Sequence, residues 1–163
     1  MAIVGYMGSG KTTVGRILAR KLEWEFVDLD RAIARDAGRA IPEIFEHSGE
    51  DFFRDLEHRA LVAALDSTRE CVLACGGGVV VRLENREALG GVSTVFLQED
   101  LGVLYGRTRG AWRPLRAASR EEFELRYERR LPLYEEVADL NIAVRGRPPE
   151  EVAEEIMQWL LVA

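Results

Sequence analysis

The stretch Gly5-Tyr6-Met7-Gly8-Ser9-Gly10-Lys11-Thr12 has the spacing G-x-x-x-x-G-K-T, which is that of a phosphate-binding loop. Each fixed position has a physical reason. Gly8 and Gly10 admit backbone conformations that a side chain would block, so the loop can turn its N–H groups inward around a phosphate. The helix expected next adds its free N-terminal N–H groups and the positive end of its dipole. Lys11 brings a mobile positive charge to the β- and γ-phosphates, and the Thr12 hydroxyl can ligate Mg²⁺. The flanks agree. Ala2-Ile3-Val4 is a short apolar run suited to a buried strand, and Val14, Ile17, Leu18 and Leu22 recur at helical spacing over Thr13 to Leu22. Gly8, Ser9, Gly10, Lys11, Thr12 and Thr13 are therefore the candidate nucleotide-phosphate site.

Outward from this loop the chain alternates strand and helix, which predicts an α/β fold with a mainly parallel sheet. Strands are expected at Glu25–Asp28, Glu70–Ala74, Val92–Leu97 and Leu140–Val144. Helices are expected from about Arg31 to Asp36, at Ile41–Phe45, from a Ser48 N-cap onward, over Leu101–Thr108, from Ser119 toward Leu131, and from Pro148-Pro149 to about Val162. On the long helix after Ser48, Phe53, Leu56, Ala60 and Ala64 form an apolar stripe that Phe52 and Leu61 widen, with Arg54 and Glu57 on its flank. The run Arg109-Gly110-Ala111-Trp112-Arg113-Pro114-Leu115 is arginine-rich and broken by Gly and Pro, which predicts a mobile loop. Five strands with a phosphate loop after the first make a three-layer α/β/α sandwich, in which ligands collect at the carboxyl ends of the strands.

Those strand ends hold the candidates for a second site. Asp28-Leu29-Asp30 closes the second strand. Asp28 can support Mg²⁺ through water, since the third strand ends in Cys75-Gly76 without an acid. Asp30 can accept hydrogen bonds from substrate hydroxyls, although a D-x-D at this place also reads as a helix N-cap. Gly76-Gly77-Gly78 makes sense where backbone must approach a ligand closely, or as a plain turn. Arg54 and the Arg129-Arg130 pair read equally as surface ion pairs. His47 and His58 are isolated and form no ligand pair, so a surface or structural role is expected for them.

Composition narrows the function classes. The 163 residues, 47% hydrophobic, suit one domain with a full core. A formal net charge of −6 disfavours a nucleic-acid binder. Lys11 and Lys21 are the only lysines, and the remaining positive charge is arginine, whose fork matches carboxylates and phosphates. Cys71 and Cys75 lack metal-site spacing and are expected as buried thiols of a reducing compartment. Neither a signal peptide nor a membrane-length apolar run is visible, so a cytoplasmic protein is expected.

Taken in order, several segments resemble the shikimate kinase family: Gly5 to Thr12; Phe26-Val27-Asp28-Leu29-Asp30; Ile41-Pro42-Glu43-Ile44-Phe45; Gly49 to Glu57; Gly76-Gly77-Gly78; Arg113-Pro114-Leu115; and Arg130-Leu131-Pro132-Leu133-Tyr134. The ordered set covers nearly the whole chain. The resemblance implies a P-loop NTPase with the nucleoside monophosphate kinase fold, whose five parallel strands run in the order 2-3-1-4-5. It implies Mg²⁺-dependent transfer of the ATP γ-phosphate to the 3-hydroxyl of shikimate, on the route to chorismate and aromatic amino acids. By position it makes Asp30 a ligand of the shikimate hydroxyls close to the acceptor oxygen, and Arg54 and Arg130 a clamp on the carboxylate. Gly76, Gly77 and Gly78 would contact the substrate through backbone. Asp28 would act with Thr12 at the metal. Lys11, Asp30 and Arg113 would carry the catalysis, Arg113 from a lid over about residues 109–119. Arg107 and Arg147 would border the ATP adenine. The resemblance also implies one kinase domain over residues 1–163, with a shikimate-binding region at about 29–60, and a monomer whose partners are ATP and shikimate. The neighbouring alternatives are a gluconate-type sugar-acid kinase, a nucleotide switch (though no N-K-x-D guanine motif is present), and a kinase-like protein that only binds its ligands.

Overall fold

The computed structural model describes residues 1–67, 69–108 and 119–162. The strands are β1 (Ala2–Val4), β2 (Glu25–Asp28), β3 (Cys71–Ala74), β4 (Thr94–Gln98) and β5 (Leu140–Ala143). They form one parallel sheet in the order β2-β3-β1-β4-β5. The three-residue β1 is its centre: Ile3 pairs with Ala74 on one side and with Val95 on the other.

The period-2 alternation of a strand explains the three layers. Ala2 and Val4 point into one core with Leu73, Phe96, Leu29, Ile33, Leu61 and Tyr134. Ile3, between them, points into the opposite core with Val14, Leu18, Val95, Leu97 and Ile142. Helices α1 (Lys11–Leu22) and α7 (Pro149–Val162) cover the second face. The first is covered by α2 (Leu29–Ala37), α3 (Ile41–Leu65), α4 (Leu83–Leu89), α5 (Leu101–Thr108) and α6 (Arg120–Val137). With both faces covered, the central strands β1 and β3 are runs of apolar residues, as buried parallel strands are, while the edge strands β2 and β5 carry Glu25, Asp28 and Asn141.

Four local expectations change. The cap of α2 is Asp28, whose carboxylate accepts a hydrogen bond from the Arg31 N–H at 3.2 Å; Asp30 lies in the first turn instead. The two helices expected around Ser48 meet within α3 at a break at Gly49, where φ is 79° and ψ 177°, one residue beyond the expected Ser48 cap. On that element Phe52 faces solvent, whereas Arg54 and Glu57 are buried. Helix α6 continues through Pro132 to Val137. The proline lacks the N–H of a helical residue, but buried Tyr134 and Val137 hold the last turns against the core, so packing overrides propensity. Two elements carried no clear periodicity, namely α4 and the short 3₁₀ turn Val79–Val81 that leads into it.

The topology decides where a ligand can sit. Adjacent β1 and β3 send their following segments to opposite faces: α1 covers one, α4 the other. This opens a crevice at their carboxyl ends. A side chain on Gly77 would stand 3.2 Å from the Met7 nitrogen, so the loops after β1 and β3 touch.

Candidate active site

The phosphate loop has the conformation its glycines predict. Gly8 and Gly10 have φ values of 83° and 94°, in the left-handed region where side chains are disfavoured. Gly10 is the N-cap of α1, with no side-chain cap, so the first turn of the helix keeps its N–H groups for a ligand. The Lys11 ammonium donates to the Gly5 and Tyr6 carbonyls at 2.8 and 2.9 Å. The Thr12 hydroxyl donates to Asp28 Oδ2 at 3.1 Å, while Oδ1 accepts from Arg31. One carboxylate therefore caps α2 and faces α1 at the same time.

Beyond Asp28 a second cluster is built from α3, α6 and the glycine loop. Arg54 is buried and held from two sides. Nη1 donates to Glu57 Oε2 at 2.6 Å, and Nη2 and Nε donate to Glu50 Oε1 at 3.1 and 3.3 Å. Glu57 is buried too, and its Oε1 has no hydrogen-bond partner among the described residues. Burial pushes the Glu57 carboxyl above the ordinary range; Arg54 opposes this and the nearby Asp30 adds to it. Arg130, from α6, donates to the Gly77 carbonyl at 3.1 Å, and its guanidinium lies 5.8 Å from the Tyr6 ring centre. The Tyr134 hydroxyl donates to the same carbonyl. Burial raises the Tyr134 hydroxyl and the Cys75 thiol above their usual pKa values, so both stay protonated at neutral pH.

Lys11, Thr12, Asp28, Arg54, Glu57, Cys75 and Arg130 share one cavity of about 700 Å³, a size typical of small-molecule sites. Gly8, Gly10, Lys11, Thr12 and Thr13 line one part, with Arg107 and Pro149 at its rim. Asp28, Asp30, Arg54, Gly76, Gly77, Gly78 and Arg130 line the rest. Arg107 donates to the Gly8 carbonyl at 3.0 Å and pairs with buried Glu99 at 3.4 Å. Two expected nucleotide residues are placed otherwise. Ser9 is buried under its loop, with a hydroxyl that has no partner among the described residues. Arg147 is tied to Glu155 at 2.7 Å and Glu151 at 3.9 Å on α7 and does not line the cavity. Arg113 lies outside the described residues, as does most of the expected lid.

Sequence reading missed Glu57 and Tyr134 as parts of the site. The signal was available as spacing: Glu57 is one turn from Arg54, and Tyr134 one turn from Arg130, on faces that each helix presents to the same loop. Arg31, Ile41, Pro42, Phe45 and Phe53 also line the cavity.

A phosphate loop opening onto a cavity with its own cationic and anionic side chains, on a 2-3-1-4-5 parallel sheet, defines a P-loop small-molecule kinase. The family model for shikimate kinase matches residues 7–161. A shikimate kinase of Marinomonas sp. is 42% identical over 95% of this chain and 88% of its own length. That of Gloeobacter violaceus is 43% identical over 97% and 90%. The solved structure of shikimate kinase from Acinetobacter baumannii in complex with shikimate superposes with a TM-score of 0.94 at 38% identity, covering 99% of this chain and 92% of that one. The enzyme from Aquifex aeolicus gives 0.86 at 34% identity, over 98% and 96%. The chain belongs to the shikimate kinase family.

Proposed function

We propose that the chain transfers the γ-phosphoryl group of ATP to the 3-hydroxyl of shikimate, giving shikimate 3-phosphate, ADP and a proton. The carrying observation is that one cavity is lined both by the phosphate loop and by Asp30, Arg54, the glycine loop and Arg130. Donor and acceptor can therefore meet without leaving protein walls. Phosphoryl transfer depends mainly on alignment and on stabilising spread negative charge, and each part of the cavity serves one of these. Lys11 and the N-terminal N–H groups of α1 hold the phosphates. Arg54 and Arg130 hold the acceptor carboxylate. Asp30 takes its hydroxyls and orients the attacking one. The N–H groups of Gly76, Gly77 and Gly78 meet the sugar-like ring at close range.

Thr12 and Asp28 would hold a divalent cation, Thr12 through its hydroxyl and Asp28 through a water. The donors are a hydroxyl and a carboxylate, hard oxygen ligands at 3.1 Å from one another. Hard oxygen donors suit Mg²⁺, which would keep several waters and take phosphate oxygens of the nucleotide. When bound, the ion neutralises charge on the β- and γ-phosphates. Arg107 borders the nucleotide, and Arg113, in the segment before α6, would be the lid arginine that reaches its phosphates. The chain acts as a monomeric single domain in the cytoplasm.

The test is ADP release with Mg-ATP and shikimate, gluconate or no acceptor. ADP formed with shikimate alone, with shikimate 3-phosphate as product, is the expected result. Turnover only with gluconate would overturn the substrate, and ADP release independent of acceptor would overturn the transferase reading.

A further inference from the structure

The carbonyls of the glycine loop are all engaged within the protein. Gly76 O accepts from the Val79 N–H at 3.1 Å, and Gly78 O from the Val81 N–H at 3.0 Å. Gly77 O accepts from Arg130 and Tyr134. Among the described residues the N–H groups of these three glycines donate to nothing. The loop's acceptors are thus committed within the protein, while its three glycines line the cavity. Three successive glycines do not hold such an orientation by themselves, because their backbone has the widest conformational freedom. Something outside the loop must fix it.

That anchor is the 3₁₀ turn Val79–Val81 and the two polar residues of α4 beneath it. Asn85 is fully buried. Its amide nitrogen donates to the Val79 carbonyl at 2.9 Å, and its Oδ1 lies 2.8 Å from His58 Nδ1. Since the Asn85 nitrogen is committed to Val79, its oxygen faces the imidazole, and His58 must carry a proton on Nδ1. Arg86, the next residue, donates to the Val80 and Val81 carbonyls at 2.9 and 3.3 Å and pairs with Glu136 on α6 at 3.1 Å. Three consecutive carbonyls of the turn are therefore held by α4. Through His58 the turn is tied to α3, next to Glu57, and through Glu136 to α6, half a turn past Tyr134. These two helices supply Arg54 and Arg130.

We propose that Asn85 and His58 are positioning residues of the acceptor site: the His58–Asn85–Val79 relay fixes the glycine loop so that its N–H groups, Arg54 and Arg130 converge on one acceptor. The inference rests on the functional reading above for the identity of that acceptor, but not for the order of the loop. Neither residue lines the cavity, so neither contacts substrate.

The experiment compares Asn85→Leu, His58→Leu and His58→Asn with the unaltered full-length protein. Asn at 58 can restore the donor that His58 Nδ1 supplies. Amide hydrogen exchange at Val79 and Val81, whose N–H groups hold the Gly76 and Gly78 carbonyls, measured without ligand, should be about tenfold faster in both leucine variants and near the original rate in His58→Asn. The shikimate KM should rise about tenfold in the leucine variants while the ATP KM stays within about twofold, again with recovery in His58→Asn. Unchanged exchange at these two amides overturns the proposal. So does a KM for ATP that moves together with that for shikimate, which is what a general loss of structure would produce. Should Asn85→Leu fail to fold, the half-buried His58 pair of variants decides alone. If the unaltered protein does not phosphorylate shikimate, the functional reading fails, and the exchange data still decide whether the relay holds the loop.

Discussion

Arg54 and Glu57 lie one helical turn apart on α3, 2.6 Å from nitrogen to oxygen, and both are buried. Desolvation opposes the charge on Glu57 more than Arg54 supports it, so the carboxyl pKa in the folded protein is raised. The folded state then binds a proton more readily than the unfolded chain does. Stability must fall as pH rises from the ordinary glutamate value, about 4.3, through the raised folded value, and level off above it. Glu57→Gln removes this titration. The melting temperature of the variant relative to the original should climb with pH across that interval and then become constant. A difference that does not depend on pH would show that Glu57 is not held in a charge-opposing environment.

Gly78 tests whether Arg54 binds the acceptor. A Cβ at this position would stand 2.7 Å from Arg54 Cζ and closer still to both Nη atoms. Its φ of −104° suits alanine, so the clash with Arg54 is the whole cost. Arg54 cannot yield freely because Glu50 and Glu57 hold it. Displacing it loses a charge-assisted contact worth about 1.5–3 kcal/mol, or about 10- to 100-fold in affinity. Gly78→Ala should therefore raise the shikimate KM by that factor and leave the ATP KM nearly unchanged. Steady-state kinetics with each substrate varied in turn would show it; equal effects on both would point to a collapsed site instead.

The parts of this molecule that were legible in its sequence are those with local causes. Gly8, Gly10, Lys11 and Thr12 act through backbone geometry and charge within eight residues. Strand and helix periodicity around them sufficed for the α/β class, and the 2-3-1-4-5 order came through resemblance to a family rather than from the pattern. Arg54 was ambiguous because a helical arginine beside two glutamates reads as a surface ion pair. Only the folded chain shows it buried, with the glycine loop packed against its guanidinium at Gly78. Asn85 and His58 were hidden because they lie 27 residues apart on different helices, whose packing no local rule specifies, whereas Glu57 was within reach of the i,i+3 rule from Arg54. The passage of α6 through Pro132 is a further case where tertiary contacts set an element's limits, whereas the break at Gly49 is local, a glycine at φ 79° with open space around it.

Asp28 has two tasks that can be separated. It caps α2 through Oδ1 and meets Thr12 through Oδ2. Asparagine caps a helix about as well as aspartate, but it carries no charge for a cation. Asp28→Asn should keep the melting temperature while raising the Mg²⁺ concentration for half-maximal turnover about tenfold or more, the usual scale for outer-shell ligands. A variant that melts early with an unchanged Mg²⁺ requirement would reduce Asp28 to a helix cap.

Lys11 is the most direct test of the phosphate loop. Its ammonium sits on the Gly5 and Tyr6 carbonyls at 2.8 and 2.9 Å, at the floor of the cavity and beside the first turn of α1. Negative charge on the transferred group is spread over its oxygens in the transition state. A preorganised cation there lowers the barrier, and removing one such donor from an enzyme commonly costs about 10²–10³ in kcat. Lys11→Ala should lose at least this much of kcat, whatever it does to the KM for ATP, because substrate bound without the lysine still lacks the charge that stabilises transfer. Circular dichroism should remain that of the unaltered protein, since the Lys11 side chain belongs to neither apolar core. A Lys11→Ala variant turning over at the original rate would remove the phosphate loop from the mechanism, and with it the placement of the acceptor site opposite.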